Sequence, residues 1–153
     1  MTKKLFSFAL LMVSALTALA QAVSVSSPNG KLKVDITCQD GQAAYTVSYD
    51  GKTMMAPSAL GLKTNIGDYT KGLKLTDSKQ SSVDKTYTMS RTKTASSHFV
   101  ANQLDVTLTN ADDMPMVVTF LVSDNDIAFR YTLQKGKLKD INSVVIQSEA
   151  TGF

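Results

Sequence analysis

The chain has 153 residues, 43% of them hydrophobic, with 16 lysines and arginines against 13 acidic residues and a formal charge of +3. That suffices for one core-bearing domain and lies far from a disordered composition. The charge excess is too small, and its lysines too dispersed, to hold nucleic acid or an anionic membrane. One cysteine, Cys38, rules out an internal disulfide, and a lone histidine, His98, argues against a metal site built from clustered ligands.

Residues 1–22 read as a secretory signal peptide. Lys3 and Lys4 form a positive start, Leu5 to Val13 is apolar apart from Ser7, and Ala18-Leu19-Ala20 supplies small residues for cleavage. The cut falls between Ala20 and Gln21, with Ala22 and Val23 flanking a second candidate. The apolar run is too short to span a bilayer, and no cysteine stands at the cut to carry a lipid. A periplasmic or secreted domain over 23–153 is expected, with no membrane contact after cleavage. Removing Lys3 and Lys4 leaves 14 basic against 13 acidic residues, close to neutral.

Ser26 to Lys31 is a turn, with Pro28 fixing φ and Asn29-Gly30 suited to positive φ. Leu32 to Cys38 then alternates as a strand, with Cys38 in phase with Leu32, Val34 and Ile36 as a small buried hydrophobe. Gln39 to Gln42 turns the chain, Ala44 to Tyr49 alternates again, and Asp50-Gly51 signals a hairpin into Lys52 to Met55. Pro57 to Leu62 predicts a bend, because Pro57 has no ladder donor. Asn65 to Gly72 is turn-rich, Leu73 to Leu75 a short strand at best, and Lys85 to Arg91 alternates weakly with Tyr87 and Met89 inward. Thr92 to Ser97 reads as a polar loop. Leu104 to Leu108 is a clear strand, turned by Asn110 to Asp113 into Met116 to Val122. Ser123 to Asp126 is a tight polar turn, followed by Ile127 to Leu133 with Ile127, Phe129, Tyr131 and Leu133 on one face. Lys135 to Asp140 reads as a charged loop, and Val144 to Ile146 starts another strand. With no 3.6-residue apolar stripe beyond the signal peptide, the pattern predicts an all-β antiparallel sandwich.

The segment SDNDIAFRY resembles the N-terminal domain of glycoside hydrolase family 97, whose members carry a similar "ND-G-(I/V)-AFRY" stretch. The residues that match are Asn125, Asp126, Ala128, Phe129, Arg130 and Tyr131; Ile127 follows Asp126 directly, without the family's glycine. A second match runs from Ser27 to Leu62, SPNGKLKVDITCQDGQAAYTVSYDGKTMMAPSALGL, where "SP-G", "YDGK" and "PS-LGL" correspond to the family's opening. The resemblance implies part of a galactose-mutarotase-like super-sandwich, incomplete at its C-terminus, that packs on a catalytic (β/α)8 barrel in enzymes that hydrolyse α-glycosides. It also implies calcium for the full-length enzyme, held mainly by barrel glutamates, and no cofactor in this chain.

Glycoside hydrolysis needs two carboxyl groups across the scissile bond. This chain has one glutamate, Glu149, which is given no family role, so no catalytic or metal residue is assigned and the chain alone is expected to be inactive. Asp124 with Asp126, and Asp112 with Asp113, lack the further ligands of a calcium loop and are read as turn residues. His98 reads as a surface residue. Arg130, mid-strand opposite Phe129 and Tyr131, is expected to pair with an aspartate on a neighbouring strand or to face the barrel. Tyr45, Tyr49 and Tyr131 suit a core better than a sugar-stacking platform. The function expected is a non-catalytic module of a secreted α-glucosidase or α-galactosidase, bracing the barrel and lining the carbohydrate site. The alternatives are an autonomous carbohydrate-binding sandwich and a structural or adhesive β-domain unrelated to sugars.

Overall fold

The computed structural model describes residues 21–90, 93, 95–134 and 143–153. The signal peptide up to Ala20 and the Lys135–Asp140 loop lie outside these. Eleven strands run in chain order: β1 Gln21–Ser26, β2 Leu32–Gln39, β3 Gln42–Tyr49, β4 Lys52–Leu60, β5 Leu62–Thr64, β6 Gly67–Asp68, β7 Lys74–Thr88, β8 Ser96–Thr109, β9 Pro115–Val122, β10 Ile127–Leu133 and β11 Ile146–Glu149. Among the described residues there is no α-helix.

The strands form two four-stranded antiparallel meanders, β1-β2-β3-β4 and β10-β9-β8-β7, and a small sheet β11-β5-β6. The turns follow from their residues. Asp40-Gly41 and Asp50-Gly51 each take φ near +50° and then +76°, the paired positive values of a two-residue corner that matches strand twist. β2 and β3 pair Val34 with Val47 and Ile36 with Tyr45, while β8 and β9 pair Leu104 with Phe120 and Val106 with Val118. These apolar pairs face each other across the sheets as one core, capped by Leu60, Leu62, Tyr69, Leu73 and Met114. The all-β sandwich read from the alternation is what folds.

Four local expectations need correction. β4 runs straight through Pro57, where a bend was predicted; Tyr45 pairs Ser58 and Val47 pairs Met55, so two residues of β4 oppose Thr46 in a bulge. On a strand with a bulge, the missing N–H costs no ladder bond. β7 and β8 are 15 and 14 residues long: the strand expected to be short around Leu73 to Leu75 runs on to Thr88, and β8 already begins at Ser96, inside the expected loop. Tyr87 (49% exposed) and Met89 point to solvent, because the outer half of this hairpin stands clear of the first sheet. The strand expected from Val144 begins instead at Ile146.

The sheets are pinned to each other by neighbouring polar ties. Gln80 Nε2 and Asn102 Nδ2 donate to the carbonyls of Ser24 and Ser26 at 2.7 and 2.8 Å. Asn102 pairs with Val122 at the end of β9, and just beyond it Asn29 N–H donates to Asp124 Oδ1 at 2.9 Å, joining the β1–β2 turn to the β9–β10 turn.

Candidate functional site

The β9–β10 turn owes its shape to Ser123. Its hydroxyl accepts from the N–H groups of Asp126 (3.0 Å) and Asn125 (3.4 Å), while its N–H donates to the Asp126 carbonyl at 2.9 Å. A short polar side chain thus replaces the ladder bonds that a four-residue corner cannot make. The turn feeds β10 in register with β9, pairing Phe129 with Phe120 and Tyr131 with Val118.

Phe129 and Tyr131 face inward. Tyr45, Phe120, Phe129 and Tyr131 form a run of tilted and edge-on contacts with centroids 5.4–5.8 Å apart, and Phe153 adds a contact to Phe129 at 6.3 Å. Tyr45 and Tyr131 are core residues, as expected, whereas Tyr49 is 43% exposed and separate from them. The Tyr131 hydroxyl accepts from Gly61 N–H at 3.2 Å and bonds Thr151 Oγ1 at 2.7 Å; the Tyr45 hydroxyl donates to the Gly152 carbonyl at 3.0 Å. Burial raises the pKa of both phenols, and for Tyr131 the bonds from Thr151 and Gly61 work against that rise. Residues 150–152 continue the β11–β5 pairing along β4, with Ala150 and Gly152 N–H donating to the carbonyls of Gly61 and Ala59 at 2.9 Å.

Beside this junction is an apolar cleft of about 350 Å³ lined by Leu62, Tyr131, Leu133, Val144, Ile146 and Glu149. Val144, Val145 and Ile146 are exposed, and Phe153 is 86% exposed. β10 pairs with β9 on one side and, among the described residues, with no strand on the other. Together these make an aromatic-lined corner with an open strand edge.

The other candidate residues lie elsewhere. His98 is a surface residue, as expected, but sits on β8 rather than in a loop, with Nε2 2.6 Å from Asp84 Oδ1 across the β7–β8 arm. Cys38 is half-buried, its thiol donates to the Leu73 carbonyl at 3.3 Å, and burial raises its pKa. Asp112 N–H donates to Asn110 Oδ1 within the turn it was assigned to, and Asp113 takes φ 58° there. Arg130 lacks the first of its two expected settings: among the described residues it has no ion pair. Asp105, which Thr119 separates from Arg130 in the register, is held by the Thr119 hydroxyl at 2.6 Å and by Gln103 Nε2 at 2.9 Å. Among the described residues no three His, Cys, Asp or Glu come together. Sequence reasoning missed the Gly61–Tyr131–Thr151 junction, whose members lie 70 and 20 residues apart.

Comparison with known proteins places this architecture. The chain is 27% identical over 131 residues to a "Probable retaining alpha-galactosidase" of Streptomyces bingchenggensis (strain BCW-1), covering 84% of this chain and 20% of that protein. Among solved structures, a beta-arabinopyranosidase superposes with a TM-score of 0.79 at 42% identity, again over 84% of this chain and 20% of the other. A glycoside hydrolase family 97 enzyme (E480Q) in complex with panose, from Pseudoalteromonas sp. strain K8, shares the fold with a TM-score of 0.76 at 24% identity and the same coverage. The chain therefore spans 20% of the length of these relatives. The family profile described as Glycosyl-hydrolase 97 N-terminal matches residues 25–153, and the chain belongs to that family.

Proposed function

We propose that this chain is a non-catalytic module of a secreted or periplasmic α-glycosidase, which braces a (β/α)8 barrel and lines one wall of its carbohydrate site. The observation that carries the reading is the open corner: a paired core on one side, and on the other a β10 edge that, among the described residues, no strand pairs, beside an apolar cleft and an exposed Phe153. Apolar surface of this kind is stabilised by covering protein. The relatives' names supply the class of substrate, and their length supplies the remainder of the enzyme.

Secretion rests on residues 1–20 and on the position of β1. Ala22 pairs with Thr37 in the first rung after Gln21–Cys38, so cleavage after Ala20 leaves the strand whole and cleavage after Ala22 removes two rungs. N-terminal sequencing of the exported chain should begin at Gln21.

A chimera tests the scaffold role. In the beta-arabinopyranosidase relative, the segment matching this chain is either deleted or replaced by residues 21–153. Deletion should abolish soluble activity on that enzyme's own aryl glycoside, and replacement should restore a substantial part of it. A deletion variant as active as the intact enzyme would overturn the reading, as would glycoside cleavage by residues 21–153 alone.

A further inference from the structure

We infer that the outer face of the β7–β10 sheet carries a second binding cleft, suited to an acidic sugar: a pyranose ring bearing a carboxylate. It lies mainly on the face of β10 that carries Ala128 and Arg130, away from the open aromatic corner. The cleft has a volume of about 300 Å³ and is lined by Val83, Lys85, Tyr87 and Phe99 of the β7–β8 arm, Gln103 of β8, Thr119 and Leu121 of β9, and Ala128, Phe129 and Arg130 of β10. That is the small end of the range for ligand sites, roughly 300–1,000 Å³. Register places the parts side by side: Lys85 opposite Phe99, Gln103 opposite Leu121 and then Ala128, and Thr119 opposite Arg130.

Each part supplies a distinct contact. Val83, Leu121 and Ala128 make an apolar floor, and the rings of Tyr87 and Phe99 offer flat surfaces for the C–H face of a sugar. Asp105 takes the hydroxyl proton of buried Thr119 and one amide proton of Gln103, so Thr119 Oγ1 and Gln103 Oε1 are left as fixed acceptors for ring hydroxyls. Arg130 and Lys85 are exposed and, among the described residues, unpaired, so two cations border the cleft. A neutral sugar would leave both without a use, and a bare anion would leave the rings and the acceptors without one. A uronate engages all three, its carboxylate meeting the planar guanidinium fork.

Ligand-observed saturation-transfer NMR on the full chain at low micromolar concentration tests this, with galacturonate, glucuronate, galactose, glucose and acetate as probes. Saturable transfer to the uronates at millimolar concentration, with none to galactose or glucose, is the expected result. Arg130→Gln should weaken uronate binding about tenfold, the loss of one charge-assisted pair. If circular dichroism shows that variant unfolded, Lys85→Gln on the projecting arm gives the same reading. No saturable uronate signal overturns the inference. So does equal transfer to galactose, transfer to acetate as strong as to uronate, or wild-type binding by every folded variant.

Discussion

Three tyrosine hydroxyls meet three different fates in this core, and Tyr→Phe substitution at each should give three different results. At Tyr131 the ring packing survives, but Gly61 N–H loses its acceptor in a buried strand junction and Thr151 loses a partner. An orphaned buried donor costs about 1–3 kcal/mol and a lost, re-solvated bond about 0.5–1.5, so Tyr131→Phe should destabilise by roughly 2–3 kcal/mol. At Tyr45 the loss is one bond to the Gly152 carbonyl, which sits near the exposed Phe153 and can take water, so roughly 1 kcal/mol is expected. Tyr69 is fully buried and, among the described residues, its hydroxyl has no hydrogen-bond partner, so removing that oxygen relieves a desolvated polar atom. Tyr69→Phe should be neutral or stabilising by up to about 1 kcal/mol. Urea unfolding at low micromolar concentration, followed by far-UV circular dichroism with a common m-value, gives the three differences. Equal effects at Tyr131 and Tyr45, or a clear destabilisation at Tyr69, would refute the assignment of these hydroxyls.

Gly61→Ala should destabilise by roughly 2–3 kcal/mol, since a Cβ there would lie 2.6 Å from the Tyr69 carbonyl oxygen and backbone cannot retreat cheaply; thermal melting reads this, and an unchanged midpoint would show that the strands can part. Burial holds the Tyr45, Tyr69 and Tyr131 phenols above the ordinary value of 10.0, so the unfolded chain gives up these protons first and stability must fall as pH rises past 10. Urea midpoints between pH 8 and 11 should therefore decline, less steeply in Tyr131→Phe, and a flat profile would contradict the burial. The isolated chain should be poorly soluble and self-associate with concentration through its open corner, and the pair Ile146→Lys and Phe153→Ser should raise its solubility and shift it toward monomer in light scattering; a wild-type chain that stays monomeric at high concentration would count against this.

What the sequence disclosed was whatever two or three neighbouring residues decide. Asp40-Gly41 and Asp50-Gly51 announce their corners because few other pairs accept two positive φ values in succession. The alternation of Leu32 to Ile36, or Ile127 to Leu133, reads as strand because one face of each is covered. The length of the β7–β8 arm and the facing of Tyr87 were misread for the converse reason: where both faces meet solvent nothing enforces a period, and Lys85 to Thr88 is exposed throughout. Pro57 misled because the rule it invokes applies to regular ladders, and its strand is bulged there. Arg130 was read on the right face but without its surroundings, since local pattern could not show that Asp105 would bond Thr119 and Gln103. Gly61 looked like one more turn residue; only the fold brings the Tyr69–Thr70 backbone against it.

Most of the described acidic residues are already engaged in holding the fold. Asp35 is paired with Lys33 at 2.7 Å, Asp68 accepts twice from Thr70, Asp77 caps the Ser78 N–H, and Asp84 meets His98. Asp105 orients two polar neighbours, Asp124 ties the two sheets together, and Asp40, Asp50 and Asp113 hold left-handed corners. The bonds from Thr70 lower the pKa of Asp68, which suits an acceptor and not a general acid. Glycosidic cleavage asks for the opposite arrangement: two carboxyl groups facing one bond across a gap of roughly 5–9.5 Å, one of them kept protonated near neutral pH. A carboxylate already engaged in shaping a turn or spanning two sheets could take up that work only by giving up the geometry that places it. Under the scaffold role proposed above, acids so engaged leave the acid–base pair to a separate part of the enzyme, and the aromatic corner is the surface through which this module would meet it.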